Sequence, residues 1–156
     1  MNSAKFFSSP SGKTPSRVPA AFLILSLIGF ADATFLTVKH YAGGPLNCSI
    51  FEGCEKVTTG PYASLVGIPL SLLGAAYYLA IFLLTIAYLD TRRGGILYFT
   101  AGMTFVGFAA SAWFVYLQLF VIRAVCPYCM VSALTSTVLF ILGGIALRSR
   151  TPSEGG

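Results

Sequence analysis

Four cysteines carry the chemistry that this sequence offers, and they come as two pairs. Cys126-Pro127-Tyr128-Cys129 is a CxxC pair at the head of an apolar run that continues from Met130 to Leu147. Cysteines three apart share one helix face, close enough for a disulfide, and the first stands at the helix N-terminus, where the dipole favours a thiolate. That is redox geometry, although CxxC alone also suits a metal. The other pair, Cys48 and Cys54, is separated by five residues, with Gly53 adjacent. Such a loop is flexible enough to close a disulfide.

Two pairs on one membrane face make a relay by thiol–disulfide exchange. A reduced partner attacks the loop disulfide, the loop attacks the helix pair, and the helix pair passes two electrons on. Within a bilayer the expected acceptor is a quinone. No flavin or nucleotide motif is present, and the single histidine, His40, is too few for haem pairs or histidine-rich metal centres. His40 itself reads as a solvated loop residue. Two structural alternatives compete with the relay. A zinc site of four cysteine ligands would have to join pairs separated by two helices, so no metal is expected. Disulfides that only stabilise the fold are the other. Palmitoylation favours cytoplasmic cysteines, and these are placed on the opposite side.

The elements that must hold these cysteines are membrane helices. Of 156 residues, 56% are hydrophobic and only 10% charged, too little charge to cover a soluble globule of this size. The net charge of +5 does not signal nucleic acid, because the cations lie at the ends of apolar runs, where they set topology. Four runs, Val18–Val38, Val57–Leu89, Gly94–Ile122 and Ala124–Leu147, carry one charge between them, Asp32. Each is long enough for a hydrocarbon core of about 30 Å. The fold class is therefore an all-α integral membrane protein, a bundle of four transmembrane helices at about 18–38, 66–89, 95–122 and 126–147. An outer loop at 40–61 caps it, and polar tails, 1–17 and 148–156, flank it; the first is expected to be disordered. Ala31-Asp32-Ala33 resembles a signal-peptidase site, but the apolar run continues past it, and a retained helix is expected.

Seven of the ten Lys and Arg residues fall on the face shared by the termini, against Lys39, Lys56 and Arg123 on the other. The bias predicts a multi-pass protein of the cell inner (plasma) membrane, with both termini cytoplasmic and all four cysteines at the outer face, where disulfides persist. Inside this frame, Asp32 is either functional or hydrogen-bonded to a neighbour such as Ser71. Gly67-Ile68-Pro69 interrupts the second run, so its helix is expected to start near Pro69, after a short interfacial segment. Gly102, Gly107, Ala109, Ala110, Ser111 and Ala112 allow close helix approach in the third. Trp113, Phe114 and Tyr116 read as an interfacial belt or as walls for a flat aromatic ligand.

These stretches resemble the vitamin K epoxide reductase family in its bacterial form. The likeness lies in Asp32 to His40 (DATFLTVKH), Cys48 with Cys54-Glu55-Lys56-Val57, Tyr62 to Leu70 (YASLVGIPL) and Cys126-Pro127-Tyr128-Cys129. The DsbB type of quinone-linked disulfide generator has the opposite order, with CxxC in its first outer loop and the spaced pair in its second. The resemblance implies a four-helix bundle holding a quinone, ubiquinone or menaquinone, near the second cysteine of CxxC. It also implies that Cys48 and Cys54 shuttle electrons, that Cys54 bonds transiently to Cys126, and that Cys129 reduces the quinone. Many family members place a quinone-binding serine six residues past the second loop cysteine. Here that position is Gly60, so Thr59, beside it, is the substitute candidate, with Tyr62 and Asp32 as further cofactor-binding candidates.

The expected function is a thiol:quinone oxidoreductase that reoxidises a thioredoxin-fold oxidase of the DsbA type and so supports disulfide formation. That partner is expected to be extracytoplasmic and separate, as the resemblance implies for a sequence without the thioredoxin-like domain fused to many bacterial relatives. Thiol-dependent reduction of a quinone epoxide is the alternative within the same chemistry, and a nonenzymatic scaffold held by disulfides or zinc is the alternative outside it.

Overall fold

The computed structural model describes residues 17–43, 57, 58, 60–65 and 67–149. The tails, the greater part of the first loop with Cys48 and Cys54, and Thr59 lie outside these residues. Four helices dominate: α1 (Arg17–Ala42), α2 (Leu70–Thr91), α3 (Gly94–Tyr116) and α4 (Pro127–Arg148). All four are long and apolar enough to cross a membrane, and the six π-helical residues Leu117–Ile122 extend the span of α3. At 1.5 Å per residue the 22-residue helices α2 and α4 extend about 33 Å, the thickness of a hydrocarbon core.

The helices close a four-sided bundle in which α1 packs on α2 and α4, and α3 packs on the same two. One end gathers Arg17, Arg92, Arg93 and Arg148. The opposite end holds Cys126 and Cys129. The outer face of the bundle is as apolar as its inside: Ile24, Leu83, Phe105 and Leu134 are all more than half exposed. Small and hydroxylated residues turn inward instead, with Ser26, Thr85, Thr104 and Ser136 buried. Thr37, Thr85, Thr100 and Thr135 hold their hydroxyls on the carbonyl four residues back, at 2.7–2.8 Å. A hydroxyl bonded to its own helix can lie inside an apolar bundle without leaving a donor unpaired.

Large side chains fill the half of the bundle near the arginines, where Phe22, Ile81, Tyr88, Leu97 and Leu139 form the core. The cysteine half is less densely filled. There α1 passes close to α2 at Gly29, where a Cβ would lie 2.6 Å from Tyr78 Cδ1.

Helix ends follow local chemistry more closely than hydropathy. α1 continues to Ala42, so His40 occupies its last turn rather than a loop. Before α2, where a short interfacial segment is expected, the chain forms a small antiparallel hairpin, β1 (Ser64–Leu65) and β2 (Ile68–Pro69). Gly67 makes this hairpin possible, since its φ of +83° is a conformation that few other residues adopt. Pro69 then caps α2 in extended conformation, which its fixed φ suits. Between α2 and α3 the turn shrinks to Arg92 and Arg93, with Arg92 in the left-handed region and its N–H donating to the Tyr88 carbonyl.

Candidate active site: a CxxC pair beside an apolar cavity

Pro127 is the first residue of α4, a position where its missing N–H is harmless, so Cys126 becomes the N-cap and Cys129 falls in the first turn. Both are free thiols, Cys126 fully buried and Cys129 partly so. Tyr128, between them, lies against the Phe35 ring of α1 with centroids 5.4 Å apart.

The backbone before CxxC is fixed by Gln118. The last six residues of the third span wind as a π-helix, and Arg123 ends it in the left-handed region with φ +53°. The buried Gln118 is held inside that turn. Its backbone oxygen accepts from the Ala124 N–H at 3.1 Å, and its side-chain Oε1 accepts from the Cys126 N–H, also at 3.1 Å. Its amide group also lies against the Cys129 thiol. Hydrophobicity predicts one continuous helix to Ile122; the π-helical turn changes which residues of its final turns face inward. Such turns recur at functional sites because they re-aim side chains at the expense of regular hydrogen bonding.

Hydrogen bonding from the Cys129 thiol pulls the Cys126 thiol down from 9.0 to about 7. Burial opposes this, and the first-turn N–H groups of Cys129 and Tyr128 add to it. That brings the ionisation of Cys126 down toward neutral pH, and the thiolate is the form that exchanges with disulfides and leaves readily from them.

Cys129 opens onto a cavity of about 350 Å³ between the four helices, within the range of about 300–1,000 Å³ usual for small-molecule sites. Its walls are mostly apolar or small: Leu36, Leu73, Val106, Gly107, Ala110 and Phe114 among them. Among the described residues, three polar atoms there are buried without a hydrogen-bond partner: Asp32 Oδ2, Tyr77 OH and Ser136 Oγ. The last two face each other without a hydrogen bond of ordinary geometry. Tyr78, by contrast, is committed, its hydroxyl bonded at 2.8 Å to the Ser132 carbonyl and at 2.9 Å to the Ser132 hydroxyl. The two unpaired hydroxyls in an apolar cavity suit a flat, mostly apolar molecule with a few acceptor oxygens. A quinone head group fits that description.

The structure thus brings Asp32, Tyr62 and Cys129 to one cavity, with the Cys126 thiol against that of Cys129. Ser71 also lines it, but no described residue bonds Asp32 Oδ2. His40 reaches the rim. The aromatic group at the end of α3 divides: Phe114 lines the cavity, whereas Trp113 and Tyr116 are exposed and stack on each other at 5.8 Å. Tyr77, Gln118, Ser132 and Ser136 escape a reading of the sequence, because a lone hydroxyl or amide in an apolar run gives no signal of the direction it faces.

The family model described as "Vitamin K epoxide reductase family" matches residues 20–143, from early α1 to late α4. The chain belongs to the vitamin K epoxide reductase family. No curated protein matches it. Membership makes this vitamin K epoxide reductase homologue an oxidoreductase, in a family associated with quinones and with thiol–disulfide exchange. The four-helix architecture and the apolar spans agree with that family and with a multi-pass membrane protein.

Proposed function

We propose that the protein is a membrane thiol:quinone oxidoreductase that reoxidises an extracytoplasmic thioredoxin-fold oxidase of the DsbA type. The observation that carries this reading is the asymmetry of the CxxC pair. Cys126 is buried beneath the cysteine end, while Cys129 opens onto an apolar cavity with unpaired polar atoms. One thiol is suited to exchange with a disulfide, the other to meet a small acceptor.

In this reading the partner's thiols reduce the Cys48–Cys54 disulfide, and Cys54 attacks Cys126 of the oxidised CxxC pair. Cys126 and Cys129 are left as the dithiol, while Cys48 and Cys54 close again. A quinone supplies a two-electron sink. Tyr77 and Ser136 donate hydrogen bonds to its oxygen atoms, Asp32 and Tyr62 line its site, and Thr59 is a further donor from the first loop. The cysteine end faces outward and both termini face the cytoplasm, as the arginine distribution favours.

The test is quinone reduction by the purified protein supplied with a reduced thioredoxin-fold oxidase, in wild type and in single Cys→Ser variants of all four cysteines. Turnover lost in each variant supports the relay; turnover that survives Cys129→Ser refutes the role of that thiol.

A further inference from the structure

Asp32 stands inside α1 with Oδ2 buried and without a hydrogen-bond partner among the described residues, on the same cavity as Cys129. It is near enough to interact electrostatically with the Tyr78 hydroxyl and with both thiols. An acidic side chain held unpaired within a membrane bundle is costly and marks function more often than packing.

The chemistry next to it involves protons as well as electrons. A dithiol that reduces a quinone gives up two of each, and the Cys129 proton must leave a thiol surrounded largely by apolar walls. Among the described residues, the titratable groups facing Asp32 across the cavity are Tyr77 and Tyr78 from α2 and Cys126 and Cys129 from α4; α3 presents none. His40, on α1 itself, and Tyr62 stand at the rim. Tyrosines ordinarily ionise near 10 and take no proton from a thiol at neutral pH. His40 is eight residues along α1 from Asp32, about 12 Å away. Asp32 is the carboxyl placed to act.

We propose that Asp32 carries the thiol proton in this reaction: its carboxylate takes up the proton that Cys129 releases into the shared cavity as that sulfur becomes nucleophilic, and returns it to the quinone oxygen. The inference rests on a quinone being the acceptor, as proposed above. The second proton comes from the Cys126 thiol, or from water at the cysteine end when that thiol is already ionised. As the Cys126–Cys129 bond closes, two electrons leave the sulfurs, and with two protons they convert quinone to hydroquinone.

The test uses the full-length protein in detergent, dithiothreitol as donor and decylubiquinone as acceptor, across a pH series. Asp32→Asn is expected to lower turnover about 100-fold near pH 7, the scale of a lost general acid–base group. The deficit should widen as pH rises, because only the ionised carboxylate of Asp32 accepts a proton and the variant has none. Wild-type turnover matched by the variant at every pH, or lowered by one constant factor throughout, overturns the role of Asp32 alone. A wild type that reduces no quinone overturns the acceptor reading and this role with it. Should Asp32→Asn fail to fold, dicyclohexylcarbodiimide on the wild type decides. It should label Asp32 and stop turnover, with decylubiquinone protecting; a labelled Asp32 with full turnover overturns the proposal.

Discussion

The side-chain Oε1 of Gln118 accepts the backbone N–H of Cys126 at 3.1 Å, tying the π-helical end of the third span to the residue that caps the fourth. Cys126 is buried, so no solvent can substitute for that acceptor. Gln118→Leu should lower the stability of the protein by about 1–3 kcal/mol, the usual penalty for stranding a buried donor. Gln118→Glu retains an acceptor oxygen and should lose less. Denaturant midpoints of the two variants in detergent test the difference; equal midpoints would remove Gln118 from this role.

Cys126 gives a pH prediction with a definite sign. Its thiol is held at about 7 instead of 9.0 chiefly by the hydrogen bond from Cys129. A depressed value favours the folded state at high pH: the contribution is complete above the unfolded value and disappears as pH falls through the folded one. The reduced protein should therefore gain stability between pH 7 and 9, and Cys126→Ser should flatten that rise. Cys129→Ala removes the donor, so the thiolate absorbance of Cys126 should then titrate closer to the ordinary value.

Tyr77 places stability and function in opposition. Its hydroxyl is buried without a hydrogen bond of ordinary geometry, a condition that costs about 1–3 kcal/mol when nothing else is bound. Tyr77→Phe should thus raise the thermal stability of the ligand-free protein. If the hydroxyl donates to a quinone oxygen, the same change should raise KM for quinone about tenfold, the equivalent of one hydrogen bond of about 1.4 kcal/mol. Higher stability with an unchanged KM would place the quinone elsewhere.

These side chains mark the limit of what the sequence discloses. The four spans are legible because an apolar run that crosses a bilayer must satisfy its backbone internally, and a helix is the way a single segment does so. CxxC is legible because its spacing is set by one helical turn. Asp32 stands out as the one charge in four spans. Yet a helix that is apolar on every side carries no periodicity to tell inside from outside, so Tyr77, Gln118 and Ser136 read like their neighbours. The π-helical turn at Leu117–Ile122 is invisible for a related reason. It is chosen by tertiary contacts, above all by the inward position of Gln118, and not by local propensity. The hairpin at Ser64–Pro69 falls between the two cases, since Gly67 signals a break without showing that the flanking residues pair.

Two glycines of α3 that look equivalent in the sequence should behave in opposite ways. A Cβ at Gly102 meets nothing within 4 Å, whereas a Cβ at Gly107 collides with the Tyr77 ring and hydroxyl. Gly102→Ala should stabilise the protein by about 0.4–1 kcal/mol, because alanine has fewer unfolded conformations to lose. Gly107→Ala must move Tyr77, and overpacking of this kind destabilises by about 1–3 kcal/mol. The displaced ring can make room only by turning toward the cavity or by spreading α2 from α3. In the first case quinone KM rises with little change in the reactivity of CxxC; in the second both stability and quinone turnover fall. Thermal melts and quinone kinetics on the two variants, side by side, separate these outcomes, and identical behaviour of Gly102→Ala and Gly107→Ala would contradict the packing of Tyr77 against α3.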